Sequence, residues 1–207
     1  MTPRTVGILA LQGGFEAHER ILRGLGAQAQ EVRLPEDLDG LDALIIPGGE
    51  STVMTLGIER DGLAAPLREL VRSGTPVLGT CAGMIMLDRD HLGVLDITTE
   101  RNAFGRQLRS FECDLELSGI SGGPLHAVFI RAPWVSGCGE EVEVLATLDD
   151  HPVAVQQGNL VAVAFHPELA EESRLHELVL GMNGDAAERD RVNQGPEPGK
   201  TPHSPSR

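Results

Sequence analysis

Three short runs of this chain are almost wholly apolar, and they constrain its fold more than any other feature. They are Val6-Gly-Ile-Leu-Ala-Leu11, Asp42-Ala-Leu-Ile-Ile46 and Pro76-Val-Leu-Gly-Thr80. A strand with one wet face alternates apolar and polar residues. A strand without alternation is buried on both faces, which requires a parallel sheet covered by helices. Helical stretches fit between these runs. Glu16 to Leu25 places Ile21, Leu22 and Leu25 on one face, with Gly26 as a C-cap. Leu63 to Val71 is stopped by Ser73-Gly74, and Ala82 to Leu87 follows the third run. The second half reads as strands: Glu112 to Leu117, Ala127 to Arg131, Val142 to Leu148, Val153 to Gln157 and Leu160 to Phe165. A closing helix is expected from about Ser173 to about Asn183, capped by Ser173, with Leu175, Leu178 and Val179 inward. The expected fold class is α/β: a single-domain, open, mostly parallel sheet flanked by helices, with added antiparallel strands. Such sheets bind ligands at the carboxyl ends of their strands.

The domain is expected over residues 1–184. Residues 185–207 carry four prolines and almost no bulky apolar side chain, so a disordered tail is expected there. With aromatics at 3%, the core must rest on Leu, Ile, Val and Ala. The formal net charge of -14 gives no electrostatic footprint for nucleic acid or an anionic membrane surface. The apolar stretch Val6 to Leu11 is too short for a signal core or a membrane span. Three cysteines, an odd and sparse count, point to free thiols in a reducing compartment, and the expected location is cytoplasmic.

The segment Gly79-Thr80-Cys81-Ala82-Gly83 lies between a strand and a helix and has the form G-x-nucleophile-x-G. A sharp strand-to-helix turn strains the backbone at the nucleophile, and glycines two residues away on each side remove clashing side chains. The thiol then sits at a helix N-terminus, and the Ala82 N–H points where an oxyanion would form. An isolated cysteine is more often a core residue, and Cys113 and Cys138 take that reading. A cysteine nucleophile needs a base and the base an orienter. His166 and Glu168 end the buried run Leu160 to Phe165, with Pro167 stiffening the step between them. On an extended segment both side chains would fall on one side. Spacing alone fits a solvated strand-end pair equally well; the cysteine elbow tips the choice. The other histidines lack a comparable partner in sequence, and His151 and His176 sit in polar, surface-like contexts. No spacing resembles a zinc site. Pro47-Gly48-Gly49-Glu50-Ser51-Thr52 is a glycine turn that lets backbone approach a ligand, with Ser51 or Thr52 placed to cap the next helix. It is not a phosphate-binding loop, because the Lys of that motif is missing.

The order of strand, PGG turn, elbow cysteine and late H-P-E resembles the class I, or triad, glutamine amidotransferases. Within that class, several segments resemble the glutaminase subunits of pyridoxal 5'-phosphate synthase: LQG ending at Gly13, PGGEST from Pro47, GTCAG from Gly79, ERNAFGRQ from Glu100 to Gln107, SFE from Ser110, VFIRAP from Val128 and FHPEL ending at Leu169. The resemblance covers about residues 5 to 180. It implies Cys81 as nucleophile, His166 as base and Glu168 as its orienter. It implies a glutamine site made by Gly49, Glu50, Ser51, Arg101, Ile130 and Arg131, with the backbone N–H groups of Gly49 and Ala82 as the oxyanion hole. It implies no metal and no cofactor in this chain. It also implies a heteromeric complex with a synthase subunit, faced by the loop at Gln12-Gly13. A substrate α-carboxylate calls for a cation, and Arg101 or Arg131 has the matching fork. The rival readings are a subunit serving another synthase, such as that making imidazole glycerol phosphate, a catalytically silent binding module, and an unrelated cysteine hydrolase. The chain departs from many relatives in a short stretch at Asp88 to Gly93, in Gly14, in Ala103 and in a longer polar tail.

Overall fold

The computed structural model describes residues 3–101 and 110–182. The expected tail at 185–207 and most of the ERNAFGRQ segment lie outside them. Seven strands form the main sheet: β1 (Thr5–Leu9), β2 (Gln28–Val32), β3 (Ala43–Ile46), β4 (Val77–Thr80), β9 (Glu143–Leu148), β10 (His151–Gln157) and β11 (Leu160–Val163). They lie in the order β2-β1-β3-β4-β11-β10-β9. The first four and β11 are mutually parallel; β10 and β9 extend that edge antiparallel. This is the expected mostly parallel sheet with antiparallel additions. The helices are α1 (Phe15–Gly24), α2 (Ser51–Arg60), α3 (Ala64–Arg72), α4 (Ala82–Leu87) and α5 over residues 174–182. Two ribbons stand apart from the sheet: β5 (Ile97–Glu100) with β8 (Trp134–Cys138), and β6 (Ser110–Leu115) with β7 (Leu125–Ile130).

The three apolar runs became β1, β3 and β4, and every residue of β3, β4 and β11 is buried. Three strands, β2, β5 and β8, escape the sequence reading. Strand β2, QAQEV, is an edge strand with a single buried residue, and β5 and β8 form a short ribbon of mixed polarity. Such strands carry little of the apolar signal that marks a sheet centre. Two caps also differ from expectation. Helix α2 is capped by Glu50, whose carboxylate accepts the N–H groups of Thr52 and Val53 at 3.2 and 2.9 Å, rather than by Ser51 or Thr52. At the start of α5 the Glu172 carboxylate accepts the N–H of Arg174 at 3.0 Å, while the Ser173 hydroxyl donates to Glu177. In α2 the helix starts at Ser51, so Glu50 holds the capping position; at α5 the Ser173 hydroxyl is already given to Glu177.

The phenylalanines fasten the β6–β7 ribbon to the sheet. Phe111 stacks on Phe129 with centroids 4.6 Å apart, and Phe129 meets Phe165, just beyond β11, at 5.5 Å. The N–H of His166 donates to the Val128 carbonyl at 2.9 Å, so the ribbon also grips the backbone where β11 ends. The second ribbon is tied by Trp134, which stacks on His151 of β10 at 3.5 Å.

Close packing around α4 has no room for a side chain at its glycines. A Cβ on Gly83 would fall 1.9 Å from the carbonyl oxygen of Ile46, and one on Gly79 would fall 2.9 Å from the backbone of Gly83. Backbone atoms cannot rotate away as a side-chain tip can. Gly83→Ala is therefore expected to cost at least about 3 kcal/mol, the upper range for overpacking. Gly24, at the end of α1, has nothing within 4 Å of its Cβ position. Gly24→Ala is expected to stabilise by about 0.5 to 1 kcal/mol by restricting the unfolded chain. Urea unfolding of the two variants beside the parent checks both signs.

Candidate active site

Strands β1, β3, β4 and β11 are adjacent and parallel, so their carboxyl ends open on one edge. Each end delivers one part of a site. After β1 comes Gln12-Gly13, after β3 Pro47-Gly48-Gly49, after β4 Cys81, and after β11 His166. These pieces are as far apart in sequence as residues 12 and 166. The sheet order alone brings them together.

Cys81 has φ 50 and ψ -108, a conformation that L residues seldom adopt. Its N–H is used by the sheet, donating to the Val163 carbonyl at 2.8 Å. The Ala82 N–H, one residue on, begins α4 and belongs to the unpaired donors of a helix start. Cys81 is 6% exposed, and Sγ lies 3.9 Å from the Ile130 carbonyl. The expected elbow is present, with its two glycines in mutual contact.

His166 holds Glu168 through Nδ1 to Oε1 at 2.7 Å. The segment joining them is not extended, as the sequence suggested. Pro167–Leu169 forms a 3-10 turn, begun by the proline at its first position. That turn tucks Glu168 beneath the ring, leaving it 4% exposed. With Nδ1–H given to the carboxylate, Nε2 is free to exchange a proton with Cys81. Burial disfavours charge on His166, but hydrogen bonding and charge from the Cys81 sulfur and Glu168 outweigh it and push the pKa up to about 10. Burial alone would raise Glu168; His166 and His18 hold it below its ordinary value instead. Gly48 lies against this pair. A Cβ there would sit 2.4 Å from His166 Cε1 and 3.3 Å from the Cys81 Cβ.

A cleft of about 400 Å³ opens over the thiol. Every residue assigned to glutamine binding or the oxyanion hole lines it: Gly49, Glu50, Ser51, Ala82, Arg101, Ile130 and Arg131. Cys81 and His166 line it too, while Glu168 stands behind them. Gln12 and Gly13 form one wall, and the Gln12 side-chain oxygen accepts the Glu50 N–H at 2.7 Å. Ile85 and Pro133 complete the wall without having been singled out as site residues. Pro133 ended a recognised motif; Ile85 had no signal beyond its place in a buried helix. The Glu50 carboxylate is engaged by the Val53 and Thr52 N–H groups, which hold its pKa below the ordinary value. It faces the cleft as a charged cap.

Arg101 is oriented from behind. Its guanidinium reaches Thr52 Oγ1 and His91 Nε2, each at 3.3 Å. His91 rests through Nδ1 on Asp88 at 2.7 Å, and buried Asp88 also accepts the Thr99 hydroxyl. Arg131 takes a left-handed φ of 46 at the end of β7.

Four histidines differ from the sequence reading. His91 has Asp88 as partner, and exposed His126 lies between Asp114 and Glu112, which raise its pKa. His176 is not a surface residue; it is 1% exposed. His18, 0% exposed, joins it through Nδ1 to Nε2 at 2.9 Å, and His18 Nε2 lies 3.6 Å from Glu168 Oε2. Helical periodicity marks a buried face through its apolar residues, and a histidine on that face gives no such mark. Cys113 and Cys138 stay outside the cleft, but neither is the buried core residue expected: Cys113 is half-buried in the β6–β7 ribbon and Cys138 is exposed at the end of β8, where a short ribbon leaves one side open to solvent. Among the described residues no cluster of His, Cys, Asp or Glu is arranged to hold a metal ion.

The two buried histidines make stability depend on pH. Burial pushes His176 down to about 3 and also lowers His18, so both stay neutral in the folded chain. The unfolded chain protonates them near pH 6.5. Below that pH the unfolded state binds the extra protons, so stability falls on acidification from about 6.5, towards about 3 for His176. For His176 the expected slope between those values is about 1.4 kcal/mol per pH unit, and His18 acts in the same direction. Urea unfolding at a series of pH values measures it, and His176→Leu should remove one histidine's share.

The chain is similar to known proteins in sequence and in fold. The model of the SNO glutamine amidotransferase family matches residues 8–183. Pyridoxal 5'-phosphate synthase subunit PdxT of Mycobacteroides abscessus is 50% identical over 186 residues, covering 86% of this chain and 96% of that protein. The PdxT of Deinococcus radiodurans is 49% identical over 195 residues, covering 88% and 99%. A crystal structure of a glutamine amidotransferase superposes with a TM-score of 0.81 at 49% identity, covering 86% of this chain and 98% of that one. A more distant structure, a glutamine amidotransferase from Thermotoga maritima, has a TM-score of 0.60 at 15% identity, covers 93% of this chain and 86% of that one, and shares the fold. With the elbow cysteine, the H-P-E turn and the matched length together, this chain belongs to the SNO glutamine amidotransferase family.

Proposed function

We propose that this chain is the glutaminase subunit of a pyridoxal 5'-phosphate synthase, hydrolysing glutamine to glutamate and ammonia for a synthase partner. One observation carries the chemistry: a strained cysteine, a histidine and a buried glutamate stand in line beside a cleft, each delivered by the end of a parallel strand or the turn after it. The partner follows from the PdxT relatives, which are named as subunits of that synthase. The reading extends to a cytoplasmic setting, where three unpaired cysteines stay reduced. Among the described residues no helix is long and apolar enough to cross a membrane.

The cycle begins with the Cys81 thiolate attacking the side-chain carbonyl carbon of glutamine. The carbonyl electrons move to oxygen, which rests on the N–H groups of Ala82 and Gly49. His166, charged beside the thiolate, gives its proton to the amide nitrogen, and ammonia leaves. Water then attacks the glutamyl thioester, with His166 taking its proton, and glutamate and the thiolate are released. Glu168 keeps the imidazole in the tautomer this requires throughout. Arg101 and Arg131 receive the α-carboxylate, and Ser51, Glu50 and Ile130 line the rest of the glutamine site. No step calls for a metal or an organic cofactor in this chain.

Glutamate release by the full chain, alone and with its synthase, tests the reading. Release with the synthase, lost at least about a thousandfold in Cys81→Ala, is the expected result. No release from a complex shown to form would leave a binding module. Arg131→Ala is expected to raise KM for glutamine roughly 10- to 100-fold, the range for a charge-assisted pair, with kcat changed far less.

A further inference from the structure

Behind Glu168 the fold buries two histidines that the proposed cycle does not use. His18 comes from α1, His176 from α5 and Glu168 from the turn after β11, so three elements converge on one closed spot. All three residues are at most 4% exposed. The order of atoms is His176 Nε2, His18 Nδ1 at 2.9 Å, then His18 Nε2 and Glu168 Oε2 at 3.6 Å, with Glu168 Oε1 on His166 at 2.7 Å. His18 Nε2 and Glu168 Oε2 are both sealed from solvent and lack another hydrogen-bond partner.

Two arrangements of protons are open to a neutral pair, and burial keeps both rings neutral. If His18 carried its proton on Nδ1, its Nε2 lone pair would face the carboxylate, setting two buried acceptors against each other. If the proton is on Nε2, the N–H points at Glu168 and the contact is attractive. His18 Nδ1 must then accept, so His176 must donate from Nε2. One electrostatic choice therefore fixes both tautomers. The 3.6 Å separation exceeds a hydrogen bond, so the contact acts through the N–H dipole facing the carboxylate.

We propose that His18 and His176 are positioning residues for the reaction. His176 fixes His18 as the Nε2–H tautomer, and His18 holds the outer oxygen of Glu168 so that the inner oxygen stays aimed at His166. The role rests on the glutaminase reading. The charged and titratable groups facing Glu168 and the two rings are His166, on the Cys81 side, and Glu172, near His176. None supplies a second donor to the outer oxygen. Without His18 the carboxylate protonates at higher pH and no longer steadies the imidazolium.

The test uses the full chain with its synthase. His18→Leu is expected to lower kcat about tenfold, just below the effect of one full hydrogen bond to a charged group. KM for glutamine should hold within about twofold, since His18 lies outside the cleft. The acid limb of the kcat/KM profile should move to higher pH. His18→Gln, which keeps an N–H near the Nε2 position, should restore most of kcat and return the limb. Nitrogen NMR of the unmodified full chain provides a reading that needs no variant to fold: both His18 and His176 should appear as Nε2–H tautomers. A Nδ1–H tautomer at His18, or a folded His18→Leu with the parent's kcat and pH profile, overturns the proposal. An unmodified complex that releases no glutamate would instead sink the glutaminase reading and the positioning role with it, whatever the tautomers.

Discussion

The contact between Gly83 and the Ile46 carbonyl governs the geometry of the active edge. A helix must begin immediately after β4 and lie hard against the end of β3, and only a glycine lets the two backbones come that close. The elbow at Cys81 is the consequence. Its φ of 50 is unfavourable locally and persists because the sheet takes its N–H and the glycines on either side let the chain turn. Gly48 repeats the theme from the neighbouring strand, where the absence of a Cβ admits the edge of the His166 ring. Three glycines thus define the walls between which thiol and imidazole meet.

Charge is managed in layers behind that meeting point. His166 is charged because the sulfur and Glu168 outweigh its burial, while His18 and His176, deeper still and without an equal counter-charge, stay neutral. The same desolvation acts on all three rings. What separates them is the number of opposing charges within reach. A similar layering stands behind Arg101, where buried Asp88 orients His91 and His91 meets the guanidinium. The cleft is thereby lined by groups whose positions are decided one layer further in.

Much of this was legible in the residues. The unalternating runs announced buried parallel strands, and G-x-C-x-G between a strand and a helix announced an elbow, because both are local patterns with local causes. The resemblance carried by the H-P-E and arginine motifs named cleft residues, all of which line one cavity. Polar edge strands such as β2 were silent because they bury too little to leave a periodic mark. His18 and His176 were misjudged for the opposite reason. A buried histidine looks polar in sequence, and its partner stands 158 residues away.

The sequence by itself determined the buried strands and the cysteine elbow between β4 and α4, since each depends on residues within a few positions of one another. Only the tertiary structure decided that β1, β3, β4 and β11 would lie side by side, and so which loops share an edge. It also decided that α1 and α5 would close over Glu168 and bury two histidines there. The physical reason is that backbone geometry is set by neighbours in the chain, whereas desolvation and charge are set by neighbours in space.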